Sequence, residues 1–311
     1  MIELYDFKLI ISGKEIEVYK YKEKKILRGY ERRKRKAVEE AEAERTEPEK
    51  EQLTAEEWAE IVEEWGCEEE KEKLHREQAK QREEQTQKTK FSICRTRTNI
   101  RRLVNANPHL NQFLTLTFNF SVPTLEKANR LFHLFIMRMT KAFPGFQYIC
   151  VNEFQGDRNF RTGELKPEGG SVHYHLLCNF GPKDTSKEAV FAWERKFAVK
   201  WWRNGFVKIV PVQQVTNLGA YFCKYLSKDM FDKRMFGKKK FFCSRSLQRP
   251  IELTGDKALR FFEKFVKSTQ PVFEKTFSSE YTGEVNYAAY SLQEDTPVME
   301  TGGYADQERT S

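Results

Sequence analysis

The sequence predicts an α+β protein: a ferredoxin-like split βαβ sandwich, with helices on an antiparallel central sheet, preceded by a charged helical N-terminal arm. Three observations predict it. Most large apolar residues lie after residue 90. From residue 113 the apolar pattern alternates between the strand period of about 2 and the helix period of about 3.6. Its order is strand–helix–strand–strand–helix–strand, that of the split βαβ unit. Residues 31–90, by contrast, are dominated by Glu, Lys, Arg and Gln.

Residues 4–21, "LYDFKLIISGKEIEVYKY", alternate apolar and polar around a Ser-Gly-Lys turn and read as a hairpin, giving an N-terminal unit over 1–30. In the charged arm, 31–90, Pro48 forms a break. After it, Thr54 and Glu57 make a capping box, and Leu53 and Trp58 are spaced for a hydrophobic staple. Trp58, Ile61, Val62 and Trp65 then form one apolar stripe. A solvated arm with one sticky face is the plain reading; self-association through 31–90 is the other.

Residues 91–110 predict a helix in which Ile93, Ile100, Leu103 and Val104 pack while Arg95, Arg97, Arg101 and Arg102 meet phosphates. In the domain over 91–250, "FLTLTFNF" (113–120) is a strand with Thr115 and Thr117 on one face. Residues 124–143 form an amphipathic helix with Leu131, Phe135, Met139 and Phe143 in register. Residues 146–154 and 171–180 pair as antiparallel strands across a turn-rich loop carrying Arg158 and Arg161. Helix 186–205, strand 206–212 and helix 217–230 complete the unit. A basic strand and a helix, "DKALRFFEKFVKS", belong to a C-terminal extension over 251–292 and its approach; 293–311 reads as a flexible tail.

The 311 residues carry a formal charge of +8, a balance that favours polyanions such as nucleic acid. No run of about 18 apolar residues occurs, so a spanning helix is not expected and no membrane partner is implied. The N-terminus lacks the pattern of a secretory signal. The six cysteines show no C-x-x-C pair, which reads as reduced thiols of a cytoplasmic protein rather than a zinc knuckle. No G-x-x-x-x-G-K-[ST] occurs, so a built-in helicase is not expected.

Strand 171–180 carries the sharpest chemical signal. Side chains alternate along a strand, so His173 and His175 share one face and Val172, Tyr174, Leu176 and Cys178 the other. Two imidazoles so placed converge on one metal ion. Glu153 and Gln155, also two apart, offer a third ligand from the neighbouring strand. Two imidazoles and a carboxylate leave positions open for substrate. Surface histidine pairs are also common, and H-x-H alone is weak evidence. On helix 217–230, Tyr221, Lys224, Tyr225 and Lys228 fall within about 100° of arc, opposite Phe222, Cys223, Leu226 and Met230. Phenols at such an edge serve as nucleophiles on a phosphodiester, with a lysine lowering the phenol pKa. An amphipathic surface helix with snorkelling aromatics is the structural alternative.

"FLTLTF" at 113–118, "VHYHLL" at 172–177 preceded by "NEFQ", and "AYFCKYLSKD" at 220–229 together resemble the three motifs, in order, of the HUH endonuclease superfamily. This superfamily includes the rolling-circle replication initiators of bacterial plasmids and single-stranded-DNA phages. The resemblance implies Mg²⁺ or Mn²⁺ on His173 and His175, with Glu153 or Gln155 as third ligand. It implies that Tyr225 cuts one strand and stays on the 5′ phosphate, Tyr221 acting as partner nucleophile. The 3′ hydroxyl released primes synthesis. It further implies origin DNA as substrate, single-stranded or hairpin, a host helicase and polymerase as partners, and a bacterial cytoplasm as location. A relaxase or transposase of the same superfamily is one alternative, though relaxases usually place the tyrosine before the histidines. A non-catalytic nucleic-acid-binding protein is another.

Overall fold

The computed structural model describes residues 3–28, 68–158, 162–166, 169–212, 215, 217–224, 233–235, 238–279 and 283–292. The stripe from Trp58 to Trp65 lies outside them. In chain order the elements are strands β1 (Glu3–Ser12) and β2 (Glu15–Arg28), helix α1 (Glu68–Asn105), β3 (Gln112–Phe118), α2 (Leu125–Ala142), β4 (Tyr148–Phe154) and β5 (Val172–Cys178). There follow α3 (Lys187–Phe197), β6 (Gly205–Pro211), α4 (Leu218–Lys224), β7 (Phe241–Cys243), β8 (Ile251–Thr254), α5 (Gly255–Phe265), β9 (Phe273–Ser279) and β10 (Gly283–Ser291). No helix among the described residues is long and apolar enough to cross a membrane.

The chain divides into two compact units: Met1–Tyr5 with Lys25–Cys94, and Asp6–Lys24 with Arg95–Ser311. In the first, the described side chains of α1 from His75 to Ser92 are exposed or half-buried, the pattern of a solvated helix.

In the second unit one five-stranded antiparallel sheet has the order β6-β3-β5-β4-β7. The expected run of strand, helix, strand, strand, helix, strand is present as β3, α2, β4, β5, α3 and β6. One face of this sheet is apolar: Leu114 and Leu116 on β3, Cys150 on β4, Tyr174, Leu176 and Cys178 on β5 are fully buried. Helix α2 covers it with Leu125, Ala128, Phe132, Phe135 and Met139, spaced three or four apart as a helical stripe requires. Leu131 and Phe143, placed on the expected stripe, lie at its margin and are partly buried. Helix α3 ends in a π-turn, Ala198–Trp202, which turns Trp202 fully into the core. There its indole N–H donates to the Thr117 carbonyl at 2.9 Å. Arg138 of α2 caps that end by donating to the carbonyls of Trp201 and Trp202 at 3.0 and 3.1 Å. At the β6 edge, buried Glu194 accepts from the Ile209 N–H at 2.9 Å and meets the Lys208 ammonium at 3.2 Å, which covers a strand edge.

The expected fold class needs one correction. A second five-stranded antiparallel sheet, order β8-β1-β2-β10-β9, is present, so the N-terminal region is strands rather than charged helix. The reason is burial. The hairpin presents Phe7, Leu9, Ile11, Ile16 and Val18 on one face, and a two-stranded hairpin cannot bury such a face alone. Ala258 and Val266, from α5 and the residue after it, with Tyr290 and Leu292 from the C-terminal strand, close over it.

The other face of β2 holds a buried charge. Glu17, its side chain 7% exposed, is paired with both Arg101 and Arg102 of α1. The Arg102 Nε donates to it at 2.7 Å, and Tyr287 donates through its hydroxyl at 3.3 Å. Removing one member of such a cluster strands the others without a partner. Glu17→Ala is expected to cost about 3 kcal/mol, read as a lowered urea midpoint at pH 7, whereas Glu15→Ala on the half-exposed neighbour leaves it nearly unchanged.

Candidate active site

Strand β5 positions the site because it lies between β3 and β4 and is pleated. Its even residues enter the core, so His173 and His175 emerge on the opposite face. The register puts Glu153 and Thr117 opposite His173, and Thr115 and Val151 opposite His175. His175 is held tightly. Its Nε2 hydrogen bonds Glu153 Oε2 at 2.6 Å, its Nδ1 meets the Thr115 hydroxyl at 3.1 Å, and its ring stacks on Phe113 at 5.7 Å. His173 differs: its Nε2 is buried and has no hydrogen-bond partner. Burial, and secondarily the neighbouring His175, push its pKa down to about 4 against the pull of Glu153, so at neutral pH the ring is uncharged with a free electron pair.

Glu153, Gln155, Arg158, Lys166, His173 and His175 line one open cleft of about 530 Å³. The long β4–β5 connection keeps these residues in place by returning flush to its start. Gln155 donates its N–H to the Ser171 carbonyl at 2.8 Å. At Gly170 a Cβ would stand 1.7 Å from the Gln155 carbonyl oxygen, so only glycine fits. Arg158 donates to the Gly163 carbonyl at 3.0 Å and bridges to Leu165, closing the loop on itself.

Whether these residues suit a divalent cation is decided by their donors. Among the described residues no three His, Cys, Asp or Glu side chains are grouped to hold a metal: Glu153 is engaged by His175, and the two imidazole centroids are 6.5 Å apart. The donor set still fits, because two neutral imidazoles and a carboxylate face one polar cleft. A buried ring nitrogen without a partner is costly, and a cation there would satisfy it.

Helix α4 carries Tyr221 and ends at Lys224; Tyr225 and Lys228 lie outside the described residues. Asn217 starts it, its side chain accepting the Ala220 N–H at 2.9 Å. Phe222 and Cys223 are buried, as the helical arc predicted. Tyr221 meets Phe113 edge-on at 6.2 Å, so one phenylalanine ring contacts both the tyrosine helix and His175. Gly219 brings α4 against α1, where a Cβ would lie 2.8 Å from the Arg101 carbonyl. Cys223 donates to the Arg97 carbonyl at 3.3 Å. The arginine-bearing turns of α1 therefore back the tyrosine segment directly.

Of the arginines expected to meet phosphates, Arg95 and Arg97 are exposed, and Arg158 lies on the cleft. Arg101 and Arg102 are instead directed to Glu17. Sequence reasoning did not assign Phe113, Lys166 or the orienting role of Thr115. Alternation along 113–117 signals the first and third; Lys166, inside an irregular loop, gave no signal. Tyr174, between the two histidines, faces the core and donates to Asn129 at 2.8 Å, and burial pushes its phenol pKa far up, which suits packing rather than attack.

Comparison with known families gives first the class, a replication-associated protein of the phage and plasmid rolling-circle kind. The family is particular: residues 111–230 match the model of the "Replication-associated protein ORF2" family, and that stretch carries a domain of this family. Comparison with curated proteins and with solved structures gives no match.

A depressed histidine pKa has a pH signature. The unfolded ring titrates near pH 6.5 and the folded one near 4, so between these values the unfolded chain binds the extra proton. In EDTA, stability is expected to fall as pH drops from 6.5 to 4. His173→Gln should flatten that slope, measured as urea midpoints at about pH 7 and about pH 5.

Proposed function

We propose that this protein is a metal-dependent, site-specific single-stranded DNA nickase and strand-transfer enzyme that initiates rolling-circle replication of a plasmid or phage. The observation that carries the reading is the set of two strand-borne imidazoles and Glu153 in one open cleft, within the stretch that matches a replication-associated family. The split βαβ, ferredoxin-like strand order supports it, since it sets both catalytic strands side by side at the sheet centre.

In this proposal His173, His175 and Glu153, or Gln155 in its place, hold Mg²⁺ or Mn²⁺, which would supply a Lewis acid for the scissile phosphodiester. Tyr225, with Tyr221 as partner, supplies the nucleophilic phenol oxygen. Its bond to phosphorus forms as the bond from phosphorus to the 3′ oxygen breaks. The 3′ oxygen leaves as a hydroxyl with the proton the phenol gave up, and the 5′ phosphate stays on the tyrosine. The phosphoester made resembles in energy the one broken, so no nucleotide is consumed. Lys224 and Lys228 favour the phenolate. Arg95, Arg97 and Arg158 hold flanking phosphates, a salt-dependent contribution. Thr115 and Phe113 position His175. Origin DNA is the substrate, and unwinding falls to a host helicase.

Single-stranded DNA from the protein's own replicon, incubated with Mn²⁺, is expected to give a covalent protein–DNA band on a denaturing gel. EDTA and His173→Ala should each abolish it, Tyr225→Phe should reduce it at least tenfold, and Tyr221→Phe/Tyr225→Phe should eliminate it. A band that survives the double substitution would sink the tyrosine assignment.

A further inference from the structure

Beside the histidine cleft lies a second one of about 500 Å³, and we propose that it receives an unpaired base next to the scissile phosphate, with Phe120 as the stacking platform. The proposal rests on the nickase reading for the identity of that phosphate, and on the geometry of the cleft for the rest.

The cleft is lined by Asn119, Phe120, Ser121, Gln155, Lys166 and Ser171. It shares Gln155 and Lys166 with the histidine cleft, so the two form one continuous path along the sheet face. Phe120 stands directly after β3 with 43% of its surface exposed. A single exposed phenylalanine is ordinary. This one differs in its setting. Cations flank it: the Lys127 ammonium lies 5.8 Å from its ring centroid, and Lys166 borders the same cleft. Its ring is supported from beneath by Phe118 at 5.6 Å.

The backbone on either side is anchored. The Asn119 N–H donates to the Asn204 carbonyl at 3.0 Å. Fully buried Val122 donates its N–H to the Ser171 hydroxyl at 3.1 Å and accepts from the Val172 N–H at 3.0 Å. The ring is thus held ready, and little ordering is needed when a base arrives. An aromatic face with cations at its rim suits a nucleotide: the base stacks and the phosphate meets the amines. Lys166 donates to the Gly156 carbonyl at 3.0 Å and retains further N–H groups for a phosphate oxygen. Exposed Asn119 and Ser121 supply hydrogen bonds to a base edge. A base already stacked inside a duplex cannot enter, so the subsite selects unpaired DNA.

The test is binding of fluorescein-labelled d(T)12 to the full chain in EDTA, followed by anisotropy, which needs no catalysis. Base–aromatic stacking corresponds to an affinity change of about fivefold or more. Phe120→Ala and Phe120→Leu are each expected to weaken binding by at least that factor, and Phe120→Trp to stay within about twofold of wild type. Leucine keeps the packing on Phe118 but has no aromatic face. Equal binding by wild type and Phe120→Leu would therefore overturn the stacking platform. So would an equal Phe120 dependence for a 12-base-pair duplex. The two readings fail separately: loss of the covalent adduct in wild type refutes the nickase alone, whereas Phe120-independent d(T)12 binding refutes the subsite alone.

Discussion

The pleat of β5, fixed between β3 and β4, is the constraint on which the rest of the molecule depends. Because successive side chains alternate, Tyr174 cannot enter the core unless His173 and His175 leave it. The fully buried Val172, Tyr174, Leu176 and Cys178 lock the strand's register, since a slip of one residue would put both imidazoles among phenylalanines. Burial on one face therefore places chemistry on the other. Register then does the assembly: it sets Glu153 opposite His173 and Thr115 opposite His175 without any dedicated scaffold.

The site is also tied to the helix that bears the arginines. Phe113 touches His175 on one side and Tyr221 on the other, and Gly219 presses the tyrosine helix onto α1. Helix α1 in turn is fixed to β2 through Glu17. The family match begins at residue 111 and ends at 230, so α1 and the strands of the second sheet lie outside it. These added parts reach the shared domain through a buried ion cluster and a close helix contact. Both are geometry-sensitive, and both act on the segment that holds the tyrosines.

Much of this was legible in the sequence. The histidine pair, its facing carboxylate and the order of the strands all follow from alternation, which is a local property. The buried side of α4, Phe222 and Cys223, follows from helical arc in the same way. The role of Arg101 and Arg102 was not legible, because a guanidinium that meets phosphate and one that meets Glu17, more than eighty positions away, look identical in a sequence. The pairing of β2 with β10 was hidden for a similar reason: its two strands stand at opposite ends of the chain.

By itself, then, the sequence determined which residues share a face of each element, and so which donors and phenols are available for chemistry. The tertiary structure alone decided which of those faces meet. It turned two expected phosphate-binding arginines onto a buried carboxylate, left the His173 nitrogen buried without a partner beside an open cleft, and joined that cleft to Phe120. The physical reason is range. Alternation and helical arc are set by backbone geometry over a few residues, whereas charge pairing and burial depend on distances that only the closed chain defines.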